Sequence, residues 1–198
     1  KAAYLALYDR EGNSLAEGEI HGQNGGYPIA IALSNDAVKL AVSMININEG
    51  SVKSTIAFYN YGTVGQNEID HCVGVNNYDD MVIPEMEFTS NDRMVAFGDT
   101  KAVIFEGAQK PQAIAEIPMD EKTKSIFYNE HYSGIVTGNE DEAVTNHLAV
   151  YDENGKLVME KDFGLDYSSI EFLTNNEICI RNANVCDIYT VHGVYKFH

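Results

Sequence analysis

The chain has no tryptophan, three cysteines, four prolines and few basic residues, and each shortage removes a class of explanation. Only 13 lysines and arginines stand against 30 aspartates and glutamates, a formal net charge of -17. Nucleic-acid binding rests on Lys and Arg neutralising phosphates, so a polyanionic partner is excluded, and an anionic membrane surface is disfavoured for the same reason. No run nears the roughly 20 apolar residues that a membrane helix needs. No basic-then-apolar signal segment is present, so direct membrane insertion by this segment is not expected. The cysteines, Cys72, Cys179 and Cys186, are too few and too irregularly spaced for a disulfide framework. Cys179 and Cys186 fall on neighbouring strands of one predicted hairpin, diagonal rather than directly opposite, which favours free thiols. Helical periodicity extends over no useful length. Of the prolines, Pro28 and Pro84 stand at strand starts, where a missing N–H is tolerated.

What the chain does contain is an apolar fraction of 44%, with 12 tyrosines and 8 phenylalanines, which excludes wholesale disorder. It also repeats itself. An apolar run ending in an aromatic residue and followed by a polar turn occurs at Tyr4–Asp9, Ile56–Asn60, Val103–Glu106, Leu148–Asp152 and Cys186–Thr190. The marking aromatics (Tyr8, Tyr59, Phe105, Tyr151, Tyr189) recur at about 40–50 residues, the period of four-stranded propeller blades. Upstream of most copies stands a second phrase, a short apolar strand, an Asn/Asp/Ser turn and a β-branched strand. It reads Ile31–Asp36 with Lys39–Ser43, Met86–Asp92 with Met94–Phe97, Ile126–Glu130 with Gly134–Val136, and Ile170–Asn176 with Ile178–Ile180. Asn and Asp suit such turns because their side chains bond the local backbone. The fold class is therefore all-β and propeller-like, a single domain over 1–198. It has an N-terminal hairpin at 1–20 and blades at about 28–72, 82–118, 124–163 and 168–197. The hairpin lacks two inner strands. These are expected upstream of Lys1 as part of a larger propeller; a piece that stayed open would bury its edges in a homodimer.

The phrase Ser34-Asn35-Asp36 followed by Lys39–Ser43 resembles the first hairpin of WD40-like and TolB-like propellers, although the Gly-His and Trp-Asp signatures of WD40 repeats are missing. Lys53-Ser54 through Val64–Asn67, Phe97-Gly98-Asp99 and Lys124–Glu130 resemble a propeller-like family of Gram-positive bacteria, a domain of unknown function often found behind one membrane helix. The resemblance implies a fold and an extracytoplasmic location, attached through an upstream membrane helix. It brings no catalytic residues.

The six histidines (His21, His71, His131, His147, His192, His198) include no pair at metal-site spacing, and no HExxH or Cys-His cluster exists. They read as exposed loop histidines. Acidic clusters at Asp79-Asp80, Asp120-Glu121, Glu140–Glu142 and Asp166 fall in predicted loops. Gly138–Glu142 offers oxygens and a glycine but lacks the alternating ligand spacing of a calcium loop. No Gly-x-Ser-x-Gly elbow, P-loop or dinucleotide fingerprint occurs. Gly22–Gly26 lacks the spacing and the following helix that phosphate binding requires. No cofactor and no metal is expected.

Tyr27, Tyr78 and Tyr167 each precede a blade's first strand, with Asp79, Asp80 and Asp166 beside two of them. In a propeller those connections share one rim, and tyrosines there either recognise a ligand or wedge between blades. These six residues are the candidate ligand site, and no residue is assigned to catalysis. The expected function is a non-catalytic binding, sensing or scaffold module for a peptide, protein or glycan. The alternatives are a carboxylate-based glycan hydrolase or lyase at the channel mouth and a structural spacer of an envelope protein.

Overall fold

In the computed structural model the described residues are 3–8, 10–20, 26–48, 50–62, 71–120, 122–138, 145–174 and 176–197, and they form strands, turns and bends without a helix. The glycine-rich loop at 22–25 and the Glu140–Glu142 cluster lie outside them. The chain divides into two compact units, Lys1–Ala113 and Ile114–His198.

In the first unit, β1 (Ala3–Tyr8) and β2 (Ser14–Ile20) form a two-stranded antiparallel sheet. A four-stranded sheet follows, made of β3 (Tyr27–Leu33), β4 (Lys39–Asn48), β5 (Ser51–Asn60) and β6 (Cys72–Asp79) in chain order. The next, β7 (Glu85–Ser90), β8 (Arg93–Phe97), β9 (Lys101–Glu106) and β10 (Gln112–Pro118), has the same order, with β10 running across the division. The second unit repeats it twice. One sheet comprises β11 (Thr123–Tyr128), β12 (Tyr132–Gly138), β13 (Asn146–Asp152) and β14 (Leu157–Phe163). The other comprises β15 (Ser169–Thr174), β16 (Glu177–Arg181), β17 (Cys186–Thr190) and β18 (Tyr195–Phe197). Four four-stranded meanders plus a hairpin are the propeller-like, all-β architecture expected from the repeats.

The repeated phrase is the third strand of each sheet, and its continuous apolar run has a physical cause. Strands buried on one face alternate apolar and polar residues, whereas strands covered on both faces read as unbroken apolar runs. Ala102, Val103, Ile104 and Phe105 are all at most 1% exposed, so both faces of β9 are covered. Phe58 on β5 meets Phe105 with ring centroids 5.1 Å apart, joining the first two four-stranded sheets into one core. In the second unit Phe127 and Phe172 meet at 4.7 Å. Phe127 lies across Gly134, its cross-strand partner on β12, and a Cβ there would come within 2.2 Å of the ring.

The marking aromatic has a further role. The β-ladder to the strand that follows the repeated phrase shifts register at Leu7/Tyr8, Phe58/Tyr59, Val150/Tyr151 and Ile188/Tyr189. In three of these hairpins the turn ends on a left-handed glycine: Gly12, Gly155 and Gly193, with φ of 86°, 74° and 81°. A one-residue bulge with a left-handed glycine increases twist and bends the outer strand, so the aromatic phrase marks where each sheet curves. In the Asp152–Gly155 turn Gly155 alone adopts positive φ, and Asp152 Oδ1 accepts the backbone N–H groups of Asn154 and Lys156.

The polar turns interlock. Ser34 Oγ donates to Asp36 Oδ1 at 2.6 Å, the N–H of Val38 donates to the same oxygen, and Ala37 is held at φ 57°. The buried Lys39 ammonium then reaches the equivalent turn of the next sheet, bonding the Asn91 carbonyl at 2.6 Å and pairing with the Asp92 carboxylate. The Phe97-Gly98-Asp99 stretch also proves structural. Gly98 leaves room for Met81, whose Cε would lie 2.0 Å from a Cβ, while Asp99 Oδ1 accepts the Val82 N–H. Ser43 and Ser54, both fully buried, donate to the Ile83 and Met81 carbonyls, so residues 81–83 are strapped beneath the first four-stranded sheet.

Truncating the shared core is expected to be costly: Phe105→Ala should lower unfolding free energy by about 3–5 kcal/mol in a urea titration. The Ser34 hydroxyl, then the Val38 N–H and the Lys39 charge, hold the Asp36 carboxyl below its usual range, against a smaller opposing effect of burial. A depressed carboxyl stabilises the fold above the ordinary aspartate value of about 3.9 and loses that contribution as pH falls through the lower folded value. Asp36→Asn should therefore melt below the wild type at neutral pH and match it in strong acid, as read by thermal melts across pH.

Candidate functional site

Strand β3 is the first strand of its sheet, yet its sequence, Tyr-Pro-Ile-Ala-Ile-Ala-Leu, is covered on one face only. Ala30 and Ala32 join the core shared with β7 and β8. On the other side Ile29, Ile31 and Leu33 stay 40%, 54% and 38% exposed. Pro28 is the second residue of the strand, and a register shift between Pro28 and Ala30 leaves Ile29 out of the ladder with β4.

Across from this apolar strip stands β1. Leu5 packs on the cluster of Leu40, Val42, Met44 and Ala57, and Tyr4 donates its hydroxyl to Glu17 Oε2 at 2.8 Å. Between β1 and β3 lies a cavity of about 290 Å³ lined by Tyr4, Leu5, Pro28, Ile29, Ala30, Ile31 and Val42. Tyr4 is its one lining residue with a polar side chain. Among the described residues β1 pairs with β2 alone, so its other edge carries backbone donors and acceptors with no strand beside them. Such a wall offers no nucleophile, no acid–base pair and no cation. It offers apolar contact and main-chain hydrogen bonds, the chemistry of recognition by strand addition.

The six residues singled out from sequence are distributed differently. Tyr27 is the first residue of β3 and 69% exposed. Tyr78 and Asp79 lie within β6 rather than in a connection, because β4 and β5 are ten residues long and their ladder continues to Lys53↔Asp79. The register runs Tyr27↔Ile45, Ile45↔Ser54 and Ser54↔Tyr78, which puts both tyrosines on one face at opposite edges of the sheet, three strand spacings or about 14 Å apart. That is the face opposite Ile31 and the cavity. Tyr78 packs against the core with the Lys101 ammonium 5.7 Å from its ring centroid. Asp79 pairs with Lys53 at 3.1 Å, both groups being exposed. Asp80 is an exposed residue at φ 53° whose N–H donates to the Val52 carbonyl. Tyr167, in the second unit, is a wedge: its ring meets Phe163 at 5.7 Å and its hydroxyl shares a 2.7 Å hydrogen bond with Ser125. Asp166 is exposed and its carbonyl accepts from Asn182 Nδ2.

Sequence reasoning missed Tyr4, Ile29 and Ile31. The signal available was the apolar run Ile29–Leu33, which does not say which of its faces is covered.

Among the described residues the other titratable groups that meet do so in pairs. Glu85 and Glu87 share one face of β7, two residues apart on one strand, so they do not bracket a substrate across a cleft. His131 lies 3.4 Å from Glu153, and His147, a residue of β13 rather than of a loop, lies 2.7 Å from Asp162. His71 stacks near Tyr61 at 4.8 Å. Among the described residues no three His, Cys, Asp or Glu side chains are placed to hold a metal ion. Nor is any helix long and apolar enough to cross a membrane.

Compared with known families, residues 1–198 match the one described as Family of unknown function (DUF5711). No curated protein matches the chain in sequence. Among solved structures it is similar to the β-propeller domain of the Trilobed protease from Pyrococcus furiosus, at 11% identity and TM-score 0.51, covering 87% of this chain and 57% of that one. The Neurospora crassa Pan2 WD40 domain matches at 7% identity and TM-score 0.59, with 95% and 56% covered. Pyrococcus horikoshii acylaminoacyl peptidase matches at 12% identity and TM-score 0.52, with 84% and 31% covered. The chain thus spans less than two thirds of each, and these identities speak for the fold alone.

Burial, and then the neighbouring Glu85, holds the Glu87 carboxyl above its usual range. A raised carboxyl is a liability above its folded value and neutral in effect below the unfolded value of about 4.3. Glu87→Gln should consequently raise the melting temperature at pH 7, with the gain vanishing below about pH 4.

Proposed function

The chain belongs to the Family of unknown function (DUF5711), and we propose that it is a non-catalytic binding module that takes an extended apolar polypeptide segment between β1 and β3. The observation that carries this reading is the conjunction of the cavity of about 290 Å³ with the strand edge of β1 beside it. A bound segment would hydrogen-bond to β1 along its backbone and send alternate side chains into the pocket walled by Ile29 and Ile31, since successive side chains of a strand point to opposite faces. Aliphatic walls favour an apolar side chain over a glycan, whose hydroxyls would lose water there without replacement. The net charge of -17 adds attraction for peptides with flanking Lys or Arg, an effect that weakens as salt rises. The inner strands expected upstream of Lys1, or a second copy of the chain, are sources of such a strand. The family resemblance supports a location outside the cytoplasm.

Catalysis by a carboxylate pair has no comparable support, because Glu85 and Glu87 sit on one strand. A spacer role gains standing only if binding fails.

A random peptide library panned on the chain is expected to enrich segments that alternate β-branched or aromatic residues with polar ones. Ile31→Asp, at an exposed position, should weaken the selected peptides at least about tenfold, roughly 1.4 kcal/mol, with an unchanged melting temperature. Failure to enrich any peptide, or equal binding by Ile31→Asp, would overturn the reading. Hits confined to a glycan array would do the same.

A further inference from the structure

The cysteines on the last sheet stand closer than their register implies. Cys179 on β16 is opposite Ile188, and Cys186 on β17 is opposite Arg181, so the two are diagonal neighbours on one face. Diagonal positions in an antiparallel pair are ordinarily about 7–8 Å apart at Cα. Yet the sulfur atoms lie 3.4 Å from each other in a thiol–thiol hydrogen bond. The turn between them is braced. Asn182 Oδ1 accepts the N–H groups of Asn184 and Val185, and the Asn182 N–H donates to the Val185 carbonyl. On the same face Arg181 pairs with Glu171 at 3.3 Å. Both thiols therefore converge on one braced hairpin, and side-chain rotation with a small shift of the two strands supplies the remaining approach to a bond of about 2.05 Å.

We propose that Cys179 and Cys186 form a modification site, a dithiol that a low-molecular-weight disulfide converts to an intramolecular disulfide. The two thiols have unequal roles. Cys186 is exposed and Cys179 is buried. Burial first, then the hydrogen bond with Cys186, pushes the Cys179 thiol up to about 11, so at neutral pH Cys179 stays protonated and Cys186 enters first. Its thiolate attacks one sulfur of the reagent, giving a mixed disulfide and one released thiolate. Cys179 then attacks the Cys186 sulfur, its proton passing to the second departing thiolate. One disulfide is reduced to two thiols, and the protein dithiol is oxidised by two electrons. The ring that closes is short, so the loop-entropy contribution is small and the consequence is local: the β16–β17 hairpin is locked.

Oxidised glutathione added to the folded chain tests this, with intact mass and a tryptic map as readout. The expected product has lost two hydrogens, joins the peptides bearing Cys179 and Cys186, and leaves Cys72 as the thiol that alkylates after unfolding. Cys179→Ser should stop at a single glutathione adduct on Cys186, a result that needs no change in fold. A wild-type chain that keeps a stable glutathione adduct on Cys186 with Cys179 still alkylatable would overturn the proposal. So would a disulfide joining two chains through Cys186, or recovery of both thiols unmodified under conditions that oxidise the unfolded chain.

Discussion

Burial on both faces through the middle of the third strands β5, β9 and β13 is the constraint from which the rest of this structure follows. A sheet covered on both sides cannot use the apolar–polar alternation of a half-exposed strand, so its middle strands read as predominantly apolar runs. Val103 through Phe105 on β9 and Leu148 through Val150 on β13 meet that demand, with small residues such as Ala96, Ala102 and Ala149 where neighbouring layers press close. Each fully buried large side chain contributes on the order of 1.5–3 kcal/mol, so this layering supplies most of the favourable term. Polar groups enter such layers only when satisfied, as the Ser43 and Ser54 hydroxyls are by the carbonyls of residues 81–83.

Where covering stops, chemistry becomes available. Ala30 and Ala32 on β3 are packed in the manner of the other sheets, while Ile29 and Ile31 on the same strand have only the β1–β2 hairpin across a cavity. The apolar residues there follow the repeat's own pattern. That origin explains its poverty in charged groups: the surface is built from residues that elsewhere in the repeat are core.

The polar phrases serve the fold in the same repeated way. Asp36, Asn129 and Asn182 each turn a side-chain oxygen onto backbone N–H groups of the following residues, and Lys39 extends one such turn to the next sheet through Asn91 and Asp92. Two stretches quoted for the family resemblance resolve into the same kind of part. Gly98 and Asp99 make room for Met81 and strap Val82, and Asn129 caps a turn. Motifs of this sort identify a family without naming a reaction, because they are fastenings of the sheet.

Strand count, sheet order and the position of each tight turn were legible in the sequence, since they depend on local periodicity and on Asn, Asp and Gly at turns. The bulge beside Tyr8, Tyr59, Tyr151 and Tyr189 was legible as a recurring aromatic, though not as a bend. Lateral placement was not. Tyr27, Tyr78 and Tyr167 look equivalent along the chain. One is exposed, one packs with Lys101 above its ring and one is tied to Ser125, because the ten-residue β4 and β5 carry Tyr78 into a ladder that the repeat period does not foresee. The meeting of the Cys179 and Cys186 sulfurs likewise depends on twist and rotamer. By itself the sequence determined a repeated, doubly covered antiparallel sheet, a matter of near neighbours. Only tertiary structure decided which apolar residues lie uncovered and which side chains touch, because those outcomes depend on how whole layers stack across long separations in the chain.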